Sequence, residues 1–193
     1  SWADLGLWDD TTEAAFASAL AATRRYSSMP IGAQLAHAGR KASTHRPWEH
    51  HGAAIPPDAT HGWQTVSASA VPYAETSVPP IALDGAGIDG IVAAFADSAR
   101  RAARLGLDLI EIHAAHGYLL HQFLSPLGNQ RDDAYGGSLE NRMRLLLRVF
   151  DAVKAGVPDT IALGVRISAT DWVEGGWGLA QSIAVVKALA ARG

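Results

Sequence analysis

Cysteine is absent. Disulfides, thiolate metal sites and cysteine nucleophiles are thereby excluded. Charge of one sign is scarce as well: the formal net charge is −3, so nothing suggests a nucleic-acid or anionic-membrane partner. No apolar run reaches the roughly 18 residues of a membrane span, and no signal peptide opens the chain, so no membrane is expected and the cytoplasm is the expected location. Neither G-x-G-x-x-G nor G-x-x-x-x-G-K-[ST] follows a strand-like run, which removes the main support for a dinucleotide or P-loop site. An initiator Met is missing too. The chain opens at Ser1 and stops at Gly193 directly after a helical pattern, so it is expected to be a piece of something longer.

What is present is ordinary for a globular protein: 48% apolar and 18% charged residues over 193 positions, enough for one domain with a sizeable core. The most informative stretch runs from Leu107 to Tyr118. Leu and Ile dominate its first half, interrupted by Asp108 and Glu111. That composition suits a strand in a covered parallel sheet better than a half-exposed one. Just past the strand come His113, His116 and Tyr118, three side chains that can donate protons. In α/β architectures chemistry collects at the carboxyl ends of strands.

The remaining elements follow in order. Asp9, Asp10 and Thr11 are N-cap candidates for a helix reaching about Tyr26. Ile31–Ala36 is a compact strand with one polar residue, Gln34. Residues 42–83 hold six of the nine prolines and keep no helical period. They read as a long excursion with short strands or hairpins, around Thr65 to Val71, and such loops are more often functional than idle. Gly87–Leu105 has a clear apolar face and Gly106 as its terminator. Leu119–Gly137 reads as a second long loop. Ser138 caps a helix to about Lys154, Ile161–Ile167 is a third strand, Trp172–Gly178 a Gly/Trp loop, and Gln181–Ala191 a final helix. Strands alternating with helices imply right-handed βαβ units and a parallel sheet. A barrel segment is expected, with a doubly wound open sheet as the alternative. In a barrel Gln34, the His113/His116/Tyr118 group and Arg166 would converge on one mouth.

Four blocks carry a resemblance: Gln34–Lys41 (QLAHAGRK), His113–Tyr118 (HAAHGY) with Leu119–Pro126 (LLHQFLSP), Asn129–Ser138 (NQRDDAYGGS) with Glu140–Arg142, and Val165–Ser168 (VRIS). Together they resemble the Old Yellow Enzyme family, its bacterial ene-reductase and xenobiotic-reductase branch above all. The resemblance implies an α/β fold: parallel βα units of a TIM (β/α)8 barrel that holds FMN at its mouth. Only the middle of that barrel is matched, about strands three to five with their helices and the helix after strand two. Three βα units cannot close a barrel and would leave two sheet edges open. A homo-oligomer, or completion by another chain, is therefore expected. One partial barrel domain over 1–193 is the expected organisation, with 42–83 lying over the mouth.

The implied chemistry is FMN-dependent reduction of activated C=C bonds, such as enones or nitroalkenes, with NADPH or NADH as reductant and a small activated alkene as partner. His113 and His116 resemble the pair that binds the substrate's carbonyl or nitro oxygen, where two donors stabilise the developing enolate-like charge. His113 also borders the expected cofactor site. Tyr118 resembles the general acid that protonates the α-carbon, since a phenol with pKa about 10 keeps its proton at neutral pH. Gln34 resembles the amide that pairs with the flavin's polar edge, and Arg166 the cation beside flavin N1 and O2. Each has a plainer reading. The histidines can be satisfied core residues or a metal pair, although no cysteine or carboxylate stands ready to complete a zinc set. Tyr118 can be a packing aromatic and Arg166 a surface salt-bridge partner. Arg40, Lys41, Asn129, Arg131, Asp132 and Arg142 are expected mainly to fix loops and cap helices. Trp48, Trp63, Trp172 and Trp177 either line the mouth or pack loops. Two further classes remain open: an inactive structural fragment needing other segments, and a metal-dependent barrel hydrolase.

Overall fold

The computed structural model describes residues 1–75 and 77–193. In order, the elements are α1 (Asp10–Arg24), β1 (Gly32–Leu35), β2 (Val66–Ser67), β3 (Ile81–Ala82), α2 (Gly85–Arg104), β4 (Leu109–Ala114), α3 (Leu119–Leu124), α4 (Leu139–Gly156), β5 (Ala162–Ile167) and α5 (Leu179–Ala190). Single 3-10 turns sit at Gly39–Lys41 and His50–Gly52.

Local chemistry sets the helix starts. The Asp9 carboxylate accepts from Thr12 N at 2.7 Å and opens α1. Asp84 does the same for Gly87 N at 2.7 Å. With Asp84 as the cap, α2 begins at Gly85, two residues before the apolar face becomes readable. Ser138 Oγ accepts from Asn141 N and starts α4 as expected. Each such cap contributes about 1 kcal/mol. Glu13 of α1 takes bonds from Arg101 and Arg104 at the end of α2, which ties the two helices together.

The main sheet is parallel with the order β1-β4-β5. Its register aligns Leu35 with Ile112 and Val165, and Gln34 with Glu111 and Gly164. Residues two apart on a strand share a face, so the sheet has two unlike sides. Ile110, Ile112 and Ala114 join Phe95, Ala99, Leu145, Leu146 and Val149 of α2 and α4 in one continuous core. Gln34, Glu111, His113 and Arg166 lie on the opposite side. The strand order never reverses. Right-handed crossovers therefore place both connecting helices on one side, whereas a doubly wound sheet needs a reversal.

Two expectations are corrected and a third is narrowed. Leu119–Leu124, expected as loop, is the helix α3, and all six of its residues are buried. A helix buried on every side shows no amphipathic period. Of the short strands or hairpins expected inside the excursion, the structure has the short strands β2 and β3, which pair in parallel. Finally, β4 is not covered alike on its two sides, because Leu109 is 43% exposed while Ile110 is fully buried. The excursion is held by side chains. Ser43 Oγ donates to Ile55 O and accepts from Trp63 N, and Arg131 donates to Ala68 O and Leu83 O. Among the described residues no helix is long and apolar enough to cross a membrane.

Candidate active site

At the end of β4 the chain turns sharply. His116 and Gly117 both take left-handed backbone angles, with φ of 59° and 70°. A histidine there is uncommon, since L side chains crowd the following carbonyl in that region. The turn brings three rings together. The His113 centroid lies 5.0 Å from His116 and 5.2 Å from Tyr118.

Arg166 on β5 is the direct register partner of His113, so the guanidinium and imidazole stem from adjacent positions on one face. Gln34 on β1 sits one step back along that face. Its amide nitrogen donates to the Glu111 carboxylate, which orients its oxygen the other way. His113 is 3% exposed, and its Nδ1 is buried with no hydrogen-bond partner among the described residues. A buried polar atom left without a partner is costly unless something else is meant to meet it. Burial, and then the charges of His116 and Arg166, push the His113 imidazole below its usual pKa. It therefore stays neutral at neutral pH.

All five expected site residues thus lie on one side of the sheet or on the turn just beyond it. Two of them line separate cavities among the described residues. Gln34 lines a cavity of about 470 Å³ beside β1, with His37 and Phe95. His116 lines a separate cavity of about 320 Å³, with His121, Ser125 and Asp171.

Side chains from three elements hold the turn. Lys41 Nζ donates to His116 O at 2.8 Å, and His116 N donates to Ser168 Oγ at 2.9 Å. Gly117 N donates to His121 Nδ1 at 3.1 Å, and Gln122 Nε2 donates to Gly117 O at 2.7 Å. His121 Nε2 in turn meets Asp171 Oδ1 at 2.8 Å. Asp171 also accepts from Ser125 Oγ and Trp177 N. Gln122 Oε1 reaches back to Ser67 Oγ and Arg40 N. Gly39 has to be glycine beside it, since its φ is 59° and a Cβ would run into the Gln122 amide.

Sequence reasoning missed His121, Gln122, Ser168 and Asp171. The available signal was two polar residues inside the apolar run LLHQFL, which only buried hydrogen bonds justify. Two of the residues expected to fix loops do so: Asn129 donates to Phe123 O and Tyr135 O, and Arg142 to Leu124 O and Gly137 O. Asp132 is exposed. The tryptophans divide. Trp177 is 2% exposed and donates to Ser182 Oγ, so it packs a loop. Trp48 and Trp172 are 77% and 90% exposed and enclose nothing. Among the described residues no group of three or more His, Asp or Glu is placed to hold a metal.

With the geometry described, comparison with known proteins is informative. The model of a family described as "NADH:flavin oxidoreductase / NADH oxidase family" matches residues 3–193. An NADPH dehydrogenase of Geobacillus thermodenitrificans is 43% identical over 190 residues, covering 98% of this chain and 50% of the relative. The chain therefore spans about half the length of the curated relatives it matches. Among solved structures, morphinone reductase superposes with TM-score 0.79 at 32% identity, covering 97% of this chain and 51% of that one. The old yellow enzyme homologue of Zymomonas mobilis gives TM-score 0.75 at 29% identity, covering 96% and 51%.

Proposed function

The chain belongs to the NADH:flavin oxidoreductase / NADH oxidase family, and from that premise we propose that it is the middle segment of a (β/α)8-barrel flavoenzyme that reduces activated alkenes. The observation that carries this reading is the ring cluster of His113, His116 and Tyr118 beside Arg166. It stands on the same sheet side as Gln34 and includes an imidazole nitrogen with no partner of its own.

The residues fit FMN on this ground. An amide, a guanidinium and an unpartnered imidazole suit the donors and acceptors of a flavin's polar edge. On the same face Gly164, one step back from Arg166 on β5, faces open space and leaves room for a flat ring beside the Glu111 carboxylate that holds Gln34. Gln34 and Arg166 would hold that edge, with His113 beside it. Bound FMN supplies hydride transfer from a reduced nicotinamide to the β-carbon of an enone or nitroalkene.

The protein's own groups do the rest. His113 and His116 donate to the substrate oxygen and stabilise the negative charge that gathers there. A neutral His113 is suited to this, because it donates without needing a counter-charge. Tyr118 delivers a proton from its hydroxyl to the α-carbon. Lys41 lies 5.6 Å from the Tyr118 ring centroid, and its cation favours the phenolate left behind. The proposed partner is a small activated alkene.

The test is a pair of half-reactions in an FMN-loaded preparation. Tyr118→Phe is expected to slow alkene reduction far more than flavin reduction by NADPH. Equal slowing of both would remove the proton-donor role.

A second reading is favoured by one observation: β1 and β5 each have a single strand neighbour. On that reading the chain binds flavin only when further segments, or a second copy, complete the barrel. Purified chain that takes up no FMN until those segments are supplied would support it. Uptake by the chain alone would dismiss it.

A further inference from the structure

The turn at His116–Gly117 has an unusual property. Each of its four backbone hydrogen-bonding groups is met by a side chain, from Lys41, Ser168, His121 and Gln122. Two consecutive left-handed residues persist only where the surroundings over-determine them. Three of these partners are simple: an ammonium, a hydroxyl and an amide. The fourth, His121, is a buried imidazole with a defined tautomer. Gly117 N–H points at Nδ1, so Nδ1 must carry a lone pair. The proton then sits on Nε2 and is donated to Asp171. A histidine's free nitrogen is set by the bond its other nitrogen makes.

We propose that His121 is a positioning residue for His116, acting through the Gly117 amide, with Asp171 as the group that fixes its tautomer and ring plane. The proposal rests on the reading of His113 and His116 as a substrate-oxygen clamp. Without the Nδ1 acceptor, the half-buried Gly117 N–H loses its partner. The turn then relaxes into the adjoining cavity of about 320 Å³, and the His116 ring leaves its place 5.0 Å from His113. The ligand concerned is an oxyanion or carbonyl oxygen on a small unsaturated ring.

Two substitutions separate this role from mere packing. Asn places Oδ1 where His has Nδ1, so His121→Asn keeps the acceptor for Gly117 and gives up Asp171. Gln places Nε2 near its histidine counterpart, so His121→Gln keeps the contact with Asp171 and gives up the acceptor. Both are measured in the FMN-loaded protein, with a para-substituted phenol as probe. The same variants are followed by amide hydrogen exchange at Gly117, which needs neither flavin nor turnover. The expected result is near-native phenol affinity and slow Gly117 exchange in His121→Asn. In His121→Gln, affinity falls about tenfold, the loss of one hydrogen bond, and Gly117 exchange accelerates. Imidazole nitrogen shifts of the wild-type protein are expected to show His121 neutral with the proton on Nε2. Equal behaviour of the two variants, or a proton on Nδ1, overturns the proposal. A wild-type protein that binds no phenol, with the exchange difference intact, overturns the oxygen-clamp reading and leaves the mechanical link from His121 to the turn standing.

Discussion

The two sides of one three-stranded sheet follow opposite rules. On the side under α2 and α4, Ile110, Ile112 and Ala114 are buried in a single apolar cluster. Every atom there has neighbours, and the gain comes from area removed from water. On the other side Gln34, Glu111, His113 and Arg166 occupy the intervening positions of the same strands. There a buried nitrogen has no partner among the described residues, a glycine faces open space, and two residues beyond the strand end hold left-handed angles. One side is built for stability. The other accepts cost at positions where chemistry is proposed, as functional sites commonly do.

The sharpest way to break this comparison is to cut equal volume from each side. Ile112→Ala is expected to destabilise by about 2–5 kcal/mol, the range for emptying a packed site. His113→Ala is expected to change stability by a fraction of that while weakening phenol binding in the FMN-loaded protein. Urea titrations of both variants decide it. Similar losses would mean that the polar side is ordinary core.

Next in size is Arg142, whose guanidinium satisfies the carbonyls of Leu124 and Gly137. Arg142→Leu leaves those carbonyls unpaired, with an expected loss of about 1–3 kcal/mol. Hydrogen exchange should locate that loss at α3 and the start of α4. An even loss across the sheet would contradict the assignment.

A smaller effect is expected from pH. Burial holds His37, His113 and His121 below their usual pKa of 6.5. Between the depressed folded values and 6.5 the unfolded chain binds more protons than the folded one. Stability therefore rises with pH through that window, falls as pH drops back through it, and levels off below the folded values. His37→Asn, away from the ring cluster, should flatten part of that slope. A midpoint unchanged from about pH 7 to 5 would show that these imidazoles are solvated. The smallest expected change is Asp84→Ala, about 1 kcal/mol from losing the cap on α2, read as a shift in thermal midpoint without effect on ligand binding.

Much of this arrangement was legible beforehand, for identifiable reasons. The apolar face of α2, the Ser138 cap of α4 and the three strands of the main sheet announce themselves through short-range spacing. The ring cluster was legible because His113, His116 and Tyr118 fall within six positions at the end of a strand, although His113 is still part of β4 rather than past it. The element α3 was not, because burial on every side erases the contrast between faces on which a helix is recognised. The pairing of β2 with β3 depends on chain segments fifteen positions apart in register, held by Arg131 from elsewhere. The tie between His121 and Asp171 spans fifty positions, and no local pattern encodes it. The family resemblance located the strand-end residues, but the groups that brace them emerged only from distances.

The left-handed angle at His116 has a consequence for anyone seeking a hardier variant. Glycine adopts that angle freely, while a side-chain-bearing residue gives up roughly 1–2 kcal/mol there. A screen that rewards heat resistance alone would tend to select glycine at this position and discard the imidazole in doing so. Selection rounds should therefore score ligand capture alongside melting, or the turn will be improved at the expense of the ring proposed to meet the substrate.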